Sequence, residues 1–139
     1  MLYIGIDCGV NTGLAVYNSA TKRLESLETL PIHRAADRVR ELAKAGPVKV
    51  YFEDARQRTW FEPEKTRSDY RGKLMGAGAV KRDSKIWEDL LTDWKIPFEM
   101  VAPKNNATKM KDFYFARITG YTRRCSEHAR DAAMLVFGR

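Results

Sequence analysis

The chain has 139 residues, of which 44% are hydrophobic and 31% charged, and its formal net charge is +7. This length and composition are typical of one folded domain over residues 1–139, with hardly enough chain for two. Two cysteines at no metal-ligand spacing, no signal peptide and no apolar run of membrane-spanning length predict a soluble cytoplasmic protein with reduced thiols.

The basic excess lies in the middle of the chain. Residues 54–124 hold 16 Lys and Arg against 10 Asp and Glu, whereas residues 1–53 hold 7 against 6. A concentration of positive charge favours a polyanionic partner.

Apolar, β-rich runs separated by turn residues predict three strands at the N terminus, over residues 2–6, 14–17 and 23–30. Pro31 lies where a helix could start, and apolar residues recur at helical spacing up to Gly46. Residues 48–52 predict a fourth strand.

The second half of the chain is predicted to be mainly helical. Residues 56–71 have no clean period and are rich in charged and aromatic side chains, which predicts a mobile loop. A long helix over residues 74–94, a short strand over 97–102 and a helix over 108–118 follow. The last helix spans 126–137, with Ser126 as its N-cap. The order βββαβαβαα predicts an α/β fold with a mixed sheet flanked by helices.

Asp7 and Glu53 each end a predicted core strand. Acids at two strand ends are expected where they meet at one sheet edge and bind a divalent cation, because Mg²⁺ prefers oxygen ligands. His128 and Asp131 are three residues apart and share one face of the last helix, whose small alanines allow it to approach the sheet. The four residues together predict a two-metal site for phosphodiester cleavage. Each alone also fits a structural role, such as a turn cap for Asp7.

Five segments together resemble the RuvC-like Holliday-junction resolvases of the RNase H-like superfamily. They are IGIDCGVNTGLAVY, VYFED, GAGAV with the amphipathic helix after it, PFEMVAPKNNATKMK and SEHARDAAMLV. These segments cover nearly the whole chain in the family's order. The resemblance implies an RNase H-like single domain and an endonuclease that resolves four-way DNA junctions by paired symmetric nicks. It also implies a bacterial or phage-infected cell as the setting.

The resemblance also implies roles for particular residues. Asp7, Glu53 and Asp131 fall on the family's carboxylates, and His128 falls where members carry a fourth acid or a histidine. Glu127 is adjacent, so the fourth ligand is either Glu127 or His128. Two Mg²⁺ ions per active site are implied, for which Mn²⁺ would substitute.

Further residues are candidates for binding DNA. Residues 102–111 resemble the family's basic contact region, and the loop after the second acid carries an aromatic near the junction crossover. Three arginines flank the third acidic element and could contact the scissile strand. The candidates are Trp60, Phe61, Lys104, Lys109, Lys111, Arg123, Arg124 and Arg130.

The long helix is expected to form a homodimer. Gly76, Gly78, Ala77, Ile86 and Leu90 give it more apolar surface than one small sheet needs. In the family such a helix contributes to the dimer interface, and a two-fold dimer suits a two-fold junction.

Other functions are also compatible with parts of the sequence. Another RNase H-like nuclease, of the YqgF type or acting on other branched DNA, would use the same four residues. A basic DNA-binding module with purely structural acids would show no metal-dependent cleavage. DCGVNTG also resembles the first phosphate loop of sugar kinases and actin-like ATPases, but the chain has neither the length nor the second phosphate loop of that class.

Overall fold

A computed structural model describes residues 1–57, 67–103 and 110–139, with only the backbone for residues 67–77. Within these residues the elements follow the predicted order βββαβαβαα. The strands are β1 (Leu2–Asp7), β2 (Asn11–Asn18), β3 (Arg23–Pro31), β4 (Val48–Glu53) and β5 (Phe98–Val101). The helices are α1 (Ile32–Ala45), α2 (Arg67–Asp93), α3 (Asp112–Thr119) and α4 (Glu127–Val136), and one turn of 3-10 helix, Ala55–Gln57, follows β4.

The strands form one mixed sheet in the order β3-β2-β1-β4-β5. β2 is antiparallel to β1 and to β3, whereas β4 is parallel to β1 and to β5. Parallel neighbours need long connections, and α1 and α2 provide those that lead into β4 and β5. The fold confirms the predicted α/β class, with a five-stranded mixed sheet and helices in a single compact domain.

The alternating side chains of the strands enter two cores, one on each face of the sheet. The α1/α2 core joins Ile4, Ile6, Val50 and Phe52 to Val39, Trp87 and Leu91. The α4 core joins Ala15, Tyr17 and Tyr51 to Phe115, Ala129, Ala132, Ala133 and Val136.

Two helices begin at residues other than the predicted ones. α2 already includes Arg67, the first residue described after position 57, so residues 67–71 are helical and not part of a loop. The sequence-based prediction started the helix near Leu74, where its apolar period begins. It missed the preceding residues because they are mostly polar. α3 begins at Asp112, whose acid in the first turn suits the positive end of the helix dipole. Residues 58–66, most of the predicted loop, and 104–109 lie outside the described residues.

Two further expectations concern the whole chain. In the part that the structure describes, no helix has both the length and the hydrophobicity needed to cross a bilayer. Cys8 and Cys125 are free thiols, as predicted.

Candidate active site

Asp7 and Glu53 end two neighbouring parallel strands. β1 pairs with β4 so that Ile6 lies opposite Phe52, and the next residues, Asp7 and Glu53, lie side by side at one edge of the sheet. Ile6 and Phe52 point into the α1/α2 core. Because side chains alternate along a strand, Asp7 and Glu53 project from the other face, which α4 covers.

The backbone of α4 lies almost in contact with that face. A Cβ added to Gly13 would overlap the carbonyl oxygen of His128, and one added to Gly5 would overlap that of Ala132. The small helix residues expected to allow this approach, Ala129 and Ala132, are buried, but the strand glycines also make the room. A strand glycine often marks the close approach of another backbone. Gly5 and Gly13 in the sequence could therefore have indicated this contact.

Ser126 determines where α4 begins. Its Oγ accepts a hydrogen bond from the backbone N–H of Ala129 at 3.2 Å, which confirms the predicted N-cap. The same hydroxyl hydrogen-bonds to Thr29 of β3. The first turn of α4, with Glu127 and His128, is therefore attached to the sheet.

A side-chain contact joins this turn to the end of β1. His128 Nδ1 lies 2.9 Å from Asp7 Oδ2. An ionised carboxylate can only accept a hydrogen bond, so Nδ1 carries the proton, and a neutral ring keeps its Nε2 lone pair as a possible ligand. The side chains of Asp7 and His128 are 25% and 49% exposed, so a substrate could reach both.

Asp131 and Glu127 occupy different sides of the same helix. Asp131 is half-buried and shares the helix face of His128. It therefore lies on the helix that covers Asp7 and Glu53, and not across the sheet from them. Glu127 is exposed and is rotated about 100° around the helix from His128. The hydrogen bond to Asp7 places the His128 imidazole beside the end of β1.

The donor chemistry fits a divalent cation, although the side chains are not gathered around one. Among the side chains that the structure describes, no three of His, Cys, Asp or Glu form a group that could hold a metal ion. Mg²⁺ commonly takes one or two carboxylates and completes its shell with waters and substrate phosphates. Asp7 and Glu53 offer two carboxylates at adjacent strand ends, and the His128 imidazole lies beside Asp7.

α2 holds the same strand ends from the opposite face. Ser84 Oγ donates to the carbonyl oxygen of Val80 in its own helix at 3.1 Å and lies 3.4 Å from the carbonyl oxygen of Glu53. It also accepts from the backbone N–H of Ala55 at 3.5 Å.

The Cys8 thiol lies 3.9 Å from the carbonyl oxygen of Glu53. Burial, and then the charge of Asp7, raises the pKa of Cys8 to about 12. Cys8 is therefore a neutral packing group at physiological pH and not a nucleophile.

Asp83 is a buried acid near the site that the sequence did not single out. It precedes Ser84 on α2, and its charge also raises the pKa of Cys8. The apolar stripe of α2 continues at Trp87 and Leu91, yet it is polar at positions 83 and 84. Two buried polar residues within an apolar stripe indicate a point where a helix meets polar groups.

An ion-pair network fixes the chain directly after Glu53. Arg56 Nε lies 2.7 Å from Asp54 Oδ1, and its Nη2 lies 2.5 Å from Glu88 Oε2 on α2. Burial opposes the charge of Asp54, but hydrogen bonds from Arg56 and Gln57 outweigh it and hold the pKa of Asp54 below its usual value. The network connects the turn after β4 to α2 and so supports the position of Glu53.

The candidate DNA-binding residues have different surroundings. Lys111, Arg123 and Arg124 are exposed, and Arg124 lines a cleft of about 530 Å³ between β3 and the start of α4. The side chain of Arg130 is only 12% exposed and donates to carbonyl oxygens just before α3 and α4. Arg130 therefore joins these two helices. Trp60, Phe61, Lys104 and Lys109 lie outside the described residues.

No protein-family model matches this chain, and no curated protein matches it significantly. The inference of function therefore depends on the α/β fold and on the residues at its strand ends.

Proposed function

We propose that the protein is an RNase H-like, metal-dependent endonuclease that resolves four-way DNA junctions. The observation that carries the proposal is that Asp7 and Glu53 end neighbouring parallel strands, while His128 of α4 hydrogen-bonds to Asp7. Two carboxylates at adjacent strand ends offer the oxygen ligands that Mg²⁺ prefers. The resemblance to RuvC-like resolvases supports the same assignment.

In this proposal each residue has a defined task. Asp7, Glu53 and Asp131 hold divalent cations, two per active site, and carboxylate oxygens suit both Mg²⁺ and Mn²⁺. Bound cations would supply an activated water and stabilise the leaving oxygen of a phosphodiester. Asp7 also fixes the ring orientation and tautomer of His128 through the Nδ1 hydrogen bond. Ser84 keeps the end of β4 in place.

The charge distribution supports DNA as the substrate. Lys111, Arg123 and Arg124 are exposed on the segment that leads through α3 to α4. Exposed cations of this kind bind phosphates without regard to sequence. Selection of a four-way junction would then come from geometry, that is, from the spacing of two active sites.

A homodimer belongs to this proposal, because paired symmetric nicks require two sites. Val80 and Ile86 on α2 are large apolar side chains that are exposed in the single chain. Among the atoms that the structure describes, none lies within 4 Å of a Cβ added to Gly78. A helix with exposed apolar residues and an open glycine suits a two-fold contact with a second copy.

The test is incubation of the purified protein with a labelled mobile four-way junction, with and without Mg²⁺. We expect paired, symmetric nicks that require the metal, and an inactive Asp7→Asn protein as the control. Three-way, flap and duplex DNA are the matched substrates. Preferred cleavage of flaps or three-way DNA would support another RNase H-like nuclease. Binding without cleavage by any divalent metal would support a basic DNA-binding module instead.

A further inference from the structure

α3 presents large apolar side chains to solvent. Phe113, Tyr114 and Ile118 are 66%, 59% and 52% exposed, although the helix has only eight residues. Phe115 points the other way and is buried in the α4 core. The outward side of this helix is therefore rich in apolar surface without serving the fold, and such surface commonly marks an interaction site.

These side chains form one continuous strip. Phe113 and Arg117 are four residues apart, as are Tyr114 and Ile118, so the four lie on neighbouring ridges of the helix. The rings of Phe113 and Tyr114 meet edge to face, with centroids 5.7 Å apart. The Arg117 guanidinium lies over the Phe113 ring, 5.8 Å from its centroid. We call these four residues the α3 face.

The surroundings of the α3 face are positive. Lys111 lies just before the helix and Arg117 lies within the face, and both are exposed. The nearby acid, Asp112, is paired with Arg130. Rings beside exposed cations are the combination with which proteins bind unpaired nucleic acid, because every base has a stacking surface and every nucleotide a phosphate.

We propose that the α3 face is a platform on which unpaired bases of DNA stack. A second copy of this chain fits the face less well, because a two-fold contact would bring Arg117 and its positive neighbours against their own copies in a protein of net charge +7. Arg130 attaches the start of α3 to α4, which also carries His128. A strand bound at the α3 face would therefore be held by the same helix pair as the candidate active site.

This binding needs neither a metal nor cleavage, so it can be tested apart from the proposed nuclease activity. The probe is a short fluorescein-labelled oligothymidine, titrated with protein in EDTA and followed by anisotropy. A Phe113→Leu/Tyr114→Leu protein keeps apolar side chains but loses both rings, and we expect its affinity to fall roughly tenfold. Phe113→Trp is the matched variant that keeps a ring, and it should bind as the natural protein does or more tightly.

Salt dependence and a duplex control distinguish stacking from attraction by charge. The slope of the logarithm of the binding constant against the logarithm of the salt concentration should be the same for the leucine and natural proteins, because no cation is removed. Arg117→Gln should make this slope shallower by an amount equivalent to about one phosphate contact. Binding of a blunt duplex should be unchanged by the leucine substitutions, since its bases are already stacked. Circular dichroism melts of each protein establish that the fold is retained.

Three outcomes would overturn the proposal. One is equal affinity of the natural and leucine proteins for oligothymidine. Another is an equal loss of binding to oligothymidine and to duplex. The third is a change from dimer to monomer in the leucine protein by sedimentation, which would make the α3 face a contact between copies.

Discussion

Both faces of the sheet bury large side chains, but the helices approach them differently. On one face, Phe52, Trp87 and Leu91 fill the space between the strands and the helices α1 and α2. On the other, Gly5 and Gly13 lie directly under the backbone of α4. The first arrangement buries large apolar side chains, which contribute most to stability. The second gives up side-chain volume and brings the polar residues of α4 to the strand-end acids.

Under the proposed function, the comparison separates the residues that would bind metal from those that fix the strand ends. On the α1/α2 side, the strand ends are held by Ser84 and by the ion-pair network of Asp54, Arg56 and Glu88. Substitutions of the acids and of His128 on the α4 face should therefore affect the proposed cleavage first. Substitutions of the glycines under α4, or of the ion-pair network on the α1/α2 side, should affect stability first.

The largest effect is expected from neutralising the acids of the α4 face. Asp7→Asn, Glu53→Gln and Asp131→Asn should each lower junction cleavage by roughly a thousandfold or more, since bound cations supply several kcal/mol of charge stabilisation. Junction binding in a gel-shift assay should be equal or tighter, because repulsion between acid and phosphate is reduced. Asp37→Asn, an exposed acid on α1, should change neither. Substantial cleavage by Asp7→Asn would contradict the mechanism.

Gly13→Ala tests the close approach of α4. The added methyl group would overlap the backbone of His128, and we expect a loss of about 3 kcal/mol in the free energy of unfolding. Gly78→Ala is the matched control on α2, where a Cβ would meet none of the described atoms within 4 Å. It should be neutral or stabilise the protein by up to about 1 kcal/mol, because alanine favours a helix. Urea denaturation followed by circular dichroism measures both, and equal stability of the two variants would refute the packing argument.

His128→Ala should be less severe than loss of a carboxylate. Removing the imidazole that contacts Asp7 leaves room for water, so we expect cleavage to slow by about 10- to 100-fold. His33→Ala, the other histidine, which is exposed on α1, is the control. Single-turnover rates at rising Mg²⁺ should recover part of the loss only in the His128 variant. A rate equal to that of the natural protein would exclude His128 from the site.

The smallest effect is expected from the ion-pair network that follows β4. Arg56→Ala removes the partner of Asp54 and should lower the free energy of unfolding by about 1–2 kcal/mol. Lys85→Ala, which breaks an exposed pair with Asp89, should change the free energy of unfolding far less, because solvent screens exposed pairs.

The difference between the Arg56→Ala and natural proteins should depend on pH. The pKa of Asp54 lies below its ordinary value of 3.8, so its contribution is present above that pH and is lost as the pH falls through the lower, folded-state pKa. Denaturation at neutral and at acid pH measures this. A difference that grows in acid would have the wrong sign.

Local patterns in the sequence were enough to predict the order of the elements and the α/β class. Alternation and helical period depend only on neighbouring residues, so β1, β4 and α4 could be placed to within a few residues. Ser126 was recognisable as an N-cap for the same reason. The start of α2 was predicted too late because its first turns carry no apolar period.

The sequence by itself therefore determined the strands, the helices and the presence of acids at two strand ends. The tertiary structure decided that Asp7 and Glu53 share the face covered by α4, that His128 contacts Asp7, and that Arg130 is engaged between helices. These facts depend on strand register, in which a shift of one residue moves every side chain to the other face. They also depend on crossovers that join residues 121 positions apart, and no local pattern encodes such a distance.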